Sequence, residues 1–584
     1  MTRYITRDLP PTDALTALGN QSELLSSLLF HRGITDQNAS EAFLNPDYKK
    51  HTHNPFSMKD MEKAVERVLK AVADSEKTII YSDYDTDGIP AGVAMHDFFK
   101  KIGFANFSNY IPHRHDEGFG LNMEAVEKFG SGGVKLLLTL DCGTGDFEAV
   151  ALANKLGIDV IIIDHHLPVS ELPPAFAILN PKQSDCVYPE KMLCGAGVAF
   201  KLIQALVSRL RYPLKIENCK LKIPTATFPI GWEKWLLDMI GIATLSDMVP
   251  LTGENRVFAY YGLMVLRKSP RAGLQKLFAK LKISQQHINE DDVGFTIGPR
   301  INAASRMGVP MDAFNLLATT DEVLADQFVE HLNKINDERK GMVAVLAKEI
   351  KKIVRERYAG KTDRVMVIGN PSWRPALLGL AANSCANEYR SPVFLWGRDG
   401  DNVIKGSCRS GESSNLMELM SRAMPGTFLQ FGGHAFSGGF SVANDKIHTL
   451  EGELNRAYES APISAAEIGA TLLDRELSLS DANWDTYRAI EKLAPFGAGN
   501  PKPLFLFRGV FPREVKHFGK EKNHLELVFE KPDGKKLSAI AFFKTSSGWG
   551  REVVQNQPLN LVATFEKSMF RNFPELRLRI VDII

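Results

Sequence analysis

Cysteine is scarce and scattered. The six cysteines of the 584-residue chain, Cys142, Cys186, Cys194, Cys219, Cys385 and Cys408, never form a Cys-x-x-Cys pair. That excludes a zinc ribbon or a disulfide scaffold and leaves free thiols, the expectation for a cytoplasmic protein. Long apolar runs are also missing. Runs such as Val160–Ile163 are far too short to span a bilayer. The opening MTRYITRDLPPTD has no apolar stretch of the signal-peptide kind, so no membrane partner is expected. Nor is there an excess of one charge: 70 Lys and Arg face 69 Asp and Glu, for a net charge of +1. A protein that binds polyanions over a whole face would be strongly basic, so any polyanion here must occupy a local channel. Basic residues do gather locally, at His113–His115 and as Arg300, Arg306, Lys405 and Arg409.

What is present is a large chain with an acidic punctuation. A single core cannot serve this length, and about three or four domains are expected. After a helical lead-in (1–55), short apolar segments alternate with amphipathic ones: KTIIYSDYD, PAGVAMHDFFKKIG, VKLLLTLDCGT, DFEAVALANKLG, DVIIIDHH. This rhythm implies a mostly parallel sheet covered on both faces, with ligands beyond the carboxyl ends of its strands. Each of those three strands ends in acid, at Asp83–Asp87, Asp141 and Asp164. An unbroken helical pattern over about 320–357 reads as a long helix joining two lobes. Beyond it lie a second mixed α/β region and then alternating strands that suggest a small β-barrel, an OB-fold.

The stretch YSDYDTDGIP places Asp83, Asp85 and Asp87 at alternate positions, on one face if extended. Like charges so close repel unless they splay into water or hold a cation. With Asp141, the Asp164–His166 triplet and Asp247 of SDMVPL, they form a candidate ligand set of carboxylates and imidazole without thiolate. Such a set suits Mn²⁺ or Mg²⁺. Two ions roughly 3.5–4 Å apart, sharing one carboxylate, can clamp a water for in-line attack on phosphorus. Asp141, alone at its strand end, is the natural bridge; His165 can ligate and His166 can reach the phosphate. Taken singly, a DxD is more often a turn or a cap, and Asp247 a helix terminus.

DYDTDG, TLDCGT, DHH and SDMVPL, in this order, resemble the four motifs of the DHH phosphoesterase superfamily. GPRINAASRMG, GSCRS, FGGHAFSGG and PFGAGNPKPLF are similar to signatures of the RecJ family of single-strand-specific 5′→3′ DNA exonucleases. The resemblance implies a DHH catalytic domain (56–265), a helical region with a long connecting helix (266–360), a smaller α/β DHH-associated domain (361–460) and an OB-fold nucleic-acid-binding domain (461–584). It implies one ion on Asp85 and Asp141 and another on Asp87, Asp141, His165 and Asp247. Asp83 then supports these ligands from one step outside, and His166 stabilises the scissile phosphate. Arg114, Ser407 and Arg409 are implied at the 5′-terminal phosphate. Arg300, Asn302 and Arg306 are implied along the strand's passage, with Gly432, Gly433 and His434 close to the nucleotide. The implied activity is stepwise release of 5′-mononucleotides from single-stranded DNA in repair and recombination. The expected protein is a monomer, fed by a helicase and a single-strand-binding protein. Three positions depart from the family pattern, Cys142, Arg374 and Cys408, and an insertion at 215–235 precedes the fourth motif. Two rival readings are a nano-RNA or cyclic-dinucleotide phosphodiesterase (or a pyrophosphatase), which generally lacks the terminal barrel, and a non-catalytic replication scaffold, which typically has decayed metal motifs.

Overall fold

The chain opens on a short strand, β1 (Tyr4–Thr6), followed by small helices that include Glu23–Phe30 and Gln37–Leu44. Ser22 and Asp36 begin these two helices by accepting a backbone N–H through the side chain, which satisfies a donor the helix cannot. The computed structural model describes residues 4–168, 171–211, 228–358, 364–398, 403–411, 414–460, 471–549, 551–569 and 573–584. Most of the 215–235 insertion lies outside them.

A strand–helix alternation then runs through β2 (Thr78–Ser82), β3 (Phe107–Tyr110), β4 (Leu136–Leu140), β5 (Asp159–Ile163) and β6 (Ala177–Leu179). These form one parallel sheet in the order β3-β2-β4-β5-β6. β2 and β4 are buried throughout, hence their unbroken apolar runs. Alternate residues feed two cores: Ile80, Leu138 and Ile161 on one face, Ile79, Leu137 and Ile162 on the other. The register sets Ser82 beside Leu140 and Leu140 beside Ile163. The acids that follow each strand therefore emerge side by side.

A wholly buried ion pair ties the lead-in to this domain. Lys201 Nζ donates to Glu254 Oε1 at 2.8 Å and to the His53 carbonyl at 2.7 Å, and both side chains are inaccessible. Lys201→Met strands a buried carboxylate and is expected to cost about 3–5 kcal/mol. A urea-unfolding free energy within about 1 kcal/mol of wild type would contradict this.

The helix Glu322–Tyr358 joins the lobes. Its Val329, Leu332 and Ile335 belong to the core that also holds Ile80, Leu138 and Ile161, and its Leu346, Ile350 and Val354 to the core of the next domain. That domain carries β7 (Met366–Gly369), β8 (Val393–Arg398), β9 (Ile404–Arg409), β10 (Gln430–His434) and β11 (Ser437–Val442), ordered β10-β11-β9-β8-β7. Only β7 and β8 run parallel.

The remaining strands are β12 (Thr471–Leu473), β13 (Arg475–Glu476), β14 (Phe505–Val510), β15 (Glu514–Phe518), β16 (His524–Glu530), β17 (Lys536–Ala541), β18 (Leu559–Ser568) and β19 (Glu575–Ile583). From β13 onward they form a sheet ordered β13-β14-β18-β19-β17-β16-β15. β14 and β15 follow one another in the chain yet stand toward opposite ends of this order, pairing with β18 and β16 respectively, as in a sheet curled into an OB-type barrel. The lead-in returns to this barrel. β1 pairs with β12, and Leu25, Leu28 and Leu29 share a core with Phe505, Phe507 and Phe529. So short a segment has no core of its own to bury these leucines in. The five described cysteines are free and buried. Among the described residues no helix is long and apolar enough to cross a membrane.

Candidate metal centre

The centre is built where β2, β4 and β5 end. Asp85 turns back on its own loop, its Oδ1 accepting the N–H groups of Asp87 (2.7 Å) and Gly88 (3.1 Å). Asp87 meets the first N–H groups of helix Gly195–Arg211, from Gly195 at 2.6 Å and Ala196 at 2.8 Å, where a helix start favours negative charge. Asp141 follows β4 at φ +62°. The approach leaves no room for side chains: a Cβ on Gly195 would stand 2.5 Å from Asp141 Oδ1, and one on Gly88 2.5 Å from the Asp83 carbonyl oxygen. His165 Nε2 lies 3.2 Å from Asp141 Oδ1 and 3.7 Å from Asp87 Oδ2, and its Nδ1 lies 3.8 Å from Asp247 Oδ2. Asp247 caps the C-terminus of helix Leu237–Ser246.

Potential ligand atoms gather in three overlapping groups: Asp83, Asp85 and Asp141; Asp87, His165 and Asp247; and Asp141, His165 and His166. Asp83 thus offers a potential ligand atom alongside Asp85 and Asp141.

The electrostatics call for a cation. Burial, then the charge of Asp85, raises Asp83 well above the carboxylate range. Burial with the charges of Asp87 and Asp85 does the same to Asp141, and burial with Asp85 holds Asp87 at about 6. Asp247 is raised by burial and by Asp87. Burial, then His166, pushes His165 down to about 3, leaving the neutral imidazole that a metal requires. Asp83 Oδ1, Asp141 Oδ1 and His165 Nδ1 are buried without a hydrogen-bond partner. Orphaned acceptors among crowded carboxylates, with no thiolate in any of the three groups, fit hard divalent ions.

Arginines gather near the acidic loop, with Arg114, Arg339, Asp85 and Arg409 all close enough to act on Arg306. Arg114 lies over the Tyr84 ring at 4.8 Å. Burial, then the charges of Arg114 and Arg339, pushes Arg306 down to about 10. Arg409 and Ser407 of β9 both face Gly379, where a Cβ would lie 2.9 Å from Arg409 Nη2 and 3.6 Å from Ser407 Oγ. Cations crowded this way suit a polyanionic ligand.

Residues 77–226 match the DHH family, N-terminal domain; 362–460 match the DHHA1 domain; and 473–582 match the RecJ OB domain. The single-stranded-DNA-specific exonuclease RecJ of Bacillus subtilis is 31% identical over 583 residues, covering 98% of this chain and 70% of that protein. RecJ of Haemophilus influenzae is 32% identical over 497 residues, covering 84% of each. This chain belongs to the RecJ family. A crystal structure of exonuclease RecJ bound to manganese is 27% identical, with a TM-score of 0.56 over 70% of this chain and 97% of that one. Thermus thermophilus RecJ in complex with Mn²⁺ shares the fold over 100% of this chain and 79% of its own, at a TM-score of 0.78 and 24% identity.

Seen as a RecJ-family chain, the other marked residues divide. Arg300 is committed internally, to Asn333 Oδ1 (3.2 and 3.1 Å) and the Thr296 carbonyl (2.7 Å). Asn302 Oδ1 accepts the Thr86 N–H at 3.1 Å, so it shapes the acidic loop. Gly432, Gly433 and His434 lie on β10 opposite Gly439, Gly438 and Ser437; the His434 side chain lies outside the described part. The family departures avoid the ligand atoms. Cys142 is buried in the core beneath β4, Cys408 in that beneath β9, and Arg374 precedes helix Pro375–Tyr389.

One residue expected among the candidate ligands has another role, and two contributors, Arg339 and Phe119, escaped the sequence reading. Asp164 is an anchor: its Oδ1 accepts the His165 N–H (2.7 Å) and pairs with His166 Nδ1 (2.8 Å). Arg339, on the connecting helix, has a buried Nε with no partner; within the charge run NDERK it reads as a solvated face. Phe119 is 56% exposed, its ring edge-on to His166 at 5.4 Å.

Proposed function

We propose that this RecJ-family chain hydrolyses single-stranded DNA from the 5′ end, releasing 5′-mononucleotides with two divalent ions, Mn²⁺ or Mg²⁺, in DNA repair and recombination. The observation that carries the reading is the overlapping carboxylate–imidazole cluster, with unsatisfied buried acceptors, near a group of arginines.

Asp85, Asp87, Asp141, His165 and Asp247 would hold the ions, with Asp83 beside them. When bound, such ions supply Lewis acidity toward the scissile phosphate and the departing oxygen. His166, held by Asp164, donates to a phosphate oxygen as negative charge develops there. Arg114, Arg409 and Ser407 grip the 5′-terminal phosphate, with Arg306 beside them; Arg suits this through its planar fork. Asn302 holds the acidic loop in shape, and Gly432 and Gly433 let the nucleotide approach the backbone. Hydrolysis breaks the P–O3′ bond. The freed nucleotide leaves with its 5′-phosphate, and the strand that remains presents a new 5′-phosphate to the same arginines, which makes repeated steps natural. The barrel would give the incoming strand a stacking platform. A helicase would supply that strand, with a single-strand-binding protein as a further partner; the enzyme would act as a cytoplasmic monomer.

End-labelled DNA and RNA strands, blocked at one end or the other, test this with Mn²⁺ present. Mononucleotides from DNA with a free 5′ end are expected, and Arg409→Ala should raise KM about tenfold or more for 5′-phosphorylated DNA while changing it little for 5′-hydroxyl DNA. Activity confined to very short RNA would indicate a nano-RNA hydrolase, and binding without cleavage a scaffold.

A further inference from the structure

The segment Ala494–Pro501, from the glycine-rich stretch before β14, is accounted for by neither the ligands nor the strand-binding side chains. It presses on the chain that carries Asp247. The Leu251 N–H donates to the Ala498 carbonyl at 2.8 Å. A Cβ on Gly497 would stand 2.8 Å from Leu251 Cδ1; Gly499 sits at φ +70°, where a Cβ would be 3.1 Å from Pro250 Cβ. Asn500, with no exposure at all, locks the segment. Its Nδ2 donates to the carbonyls of Leu493 (2.8 Å) and Pro495 (2.9 Å), and its Oδ1 accepts Arg32 Nε at 2.7 Å. From the catalytic domain, Arg256 donates to the carbonyls of Ala494 (3.0 Å) and Phe43 (2.6 Å).

Between Asp247 and this clamp stands Met248, at φ +60° and 74% exposed. A non-glycine residue persists in that strained region only where its surroundings impose it. Met248 has little packing of its own, so the restraint comes from its neighbours. On one side is helix Leu237–Ser246; on the other are buried Val249 and the clamped Pro250–Leu251.

We propose that Ala494–Pro501, locked by Asn500, is a positioning device for Asp247: fixing Pro250–Leu251 imposes the Met248 turn and aims the Asp247 carboxylate at the position it shares with Asp87 and His165. The inference rests on the metal reading above. It makes the root of the barrel a determinant of metal affinity, in addition to any contact the barrel makes with nucleic acid.

The test is Mn²⁺ binding by calorimetry to the metal-stripped full chain, without nucleic acid, for wild type, Asn500→Ala, Gly499→Ala and Lys502→Ala. Lys502 pairs with Asp291 across the same seam and serves as a control. Both clamp variants are expected to weaken one of two Mn²⁺ sites by about tenfold or more, to leave the other unchanged, and to regain activity at high Mn²⁺. Lys502→Ala should leave both sites as in wild type. Should Asn500→Ala fail to fold, by circular dichroism, Gly499→Ala carries the test, since its effect on packing is local. Unchanged Mn²⁺ affinity in a folded clamp variant overturns the proposal, as does equal weakening in Lys502→Ala. Wild type that binds no Mn²⁺ overturns the metal reading instead.

Discussion

Asp141→Asn is expected to lower single-strand hydrolysis by at least about 10³-fold while making the metal-free protein harder to unfold. Asparagine is the informative replacement. It keeps the size of the side chain and tolerates the left-handed backbone at φ +62° better than most residues. Only the charge goes. Asp141 belongs both to the group with Asp83 and Asp85 and to that with His165 and His166, so one substitution impairs both ion positions. In the metal-free protein the same carboxylate is buried and repelled by Asp87, Asp85, Asp83 and Asp247. Removing it should raise the melting temperature by about 2–4 °C. Mn²⁺ should stabilise wild type, through binding to the native state alone, and stabilise the variant far less. A variant that keeps more than about a tenth of the rate, or gains as much from Mn²⁺ as wild type does, would remove Asp141 from its bridging place.

The residues easiest to read from sequence are those whose chemistry is local. Asp85, Asp87, Asp141 and Asp164 each follow a short apolar run, and in a parallel sheet the ends of such runs are neighbours; the register of β2, β4 and β5 makes them so. The long helix and the final strands were legible for a similar reason, since period and turn residues mark them. Long-range pairings were not. Nothing within Tyr4–Thr6 points to Thr471–Leu473, and nothing in the leucines of Glu23–Phe30 points to the phenylalanines of the barrel. Arg300 and Arg306 stand on one helix in one motif, yet one spends its guanidinium on Asn333 and the Thr296 carbonyl, and the other joins the cluster of Arg114, Arg339 and Arg409. Spacing cannot separate them, because the decision is made by what packs opposite. Asp164 shows the limit most clearly. It ends its strand like the other acids, but its oxygens are taken by Thr144, His165 and His166, so it anchors the two histidines.

Asp164→Asn should therefore act through His166. Burial alone would discharge both partners; instead the His166 hydrogen bond and charge hold Asp164 below the carboxylate range, and Asp164 raises His166 above the usual imidazole value. A raised histidine keeps its proton to higher pH and loses it as pH climbs through the raised value. A depressed carboxylate stays charged until pH falls below its ordinary range. The pair thus stabilises the fold between those two limits, and the stability gap between wild type and Asp164→Asn should be widest there. The neutral amide leaves burial working on His166, so the imidazolium disappears at lower pH. The alkaline limb of the pH–rate profile should shift downward, and the rate at pH 8 should fall by about 10²-fold, the usual cost of losing one charge-stabilising donor. Joining Asp164→Asn to His166→Ala tells orientation from general damage. If Asp164 works through His166, the double variant is little slower than His166→Ala alone. Fully multiplicative losses, with an unmoved alkaline limb, would mean that Asp164 serves the fold and leaves the proton on His166 untouched.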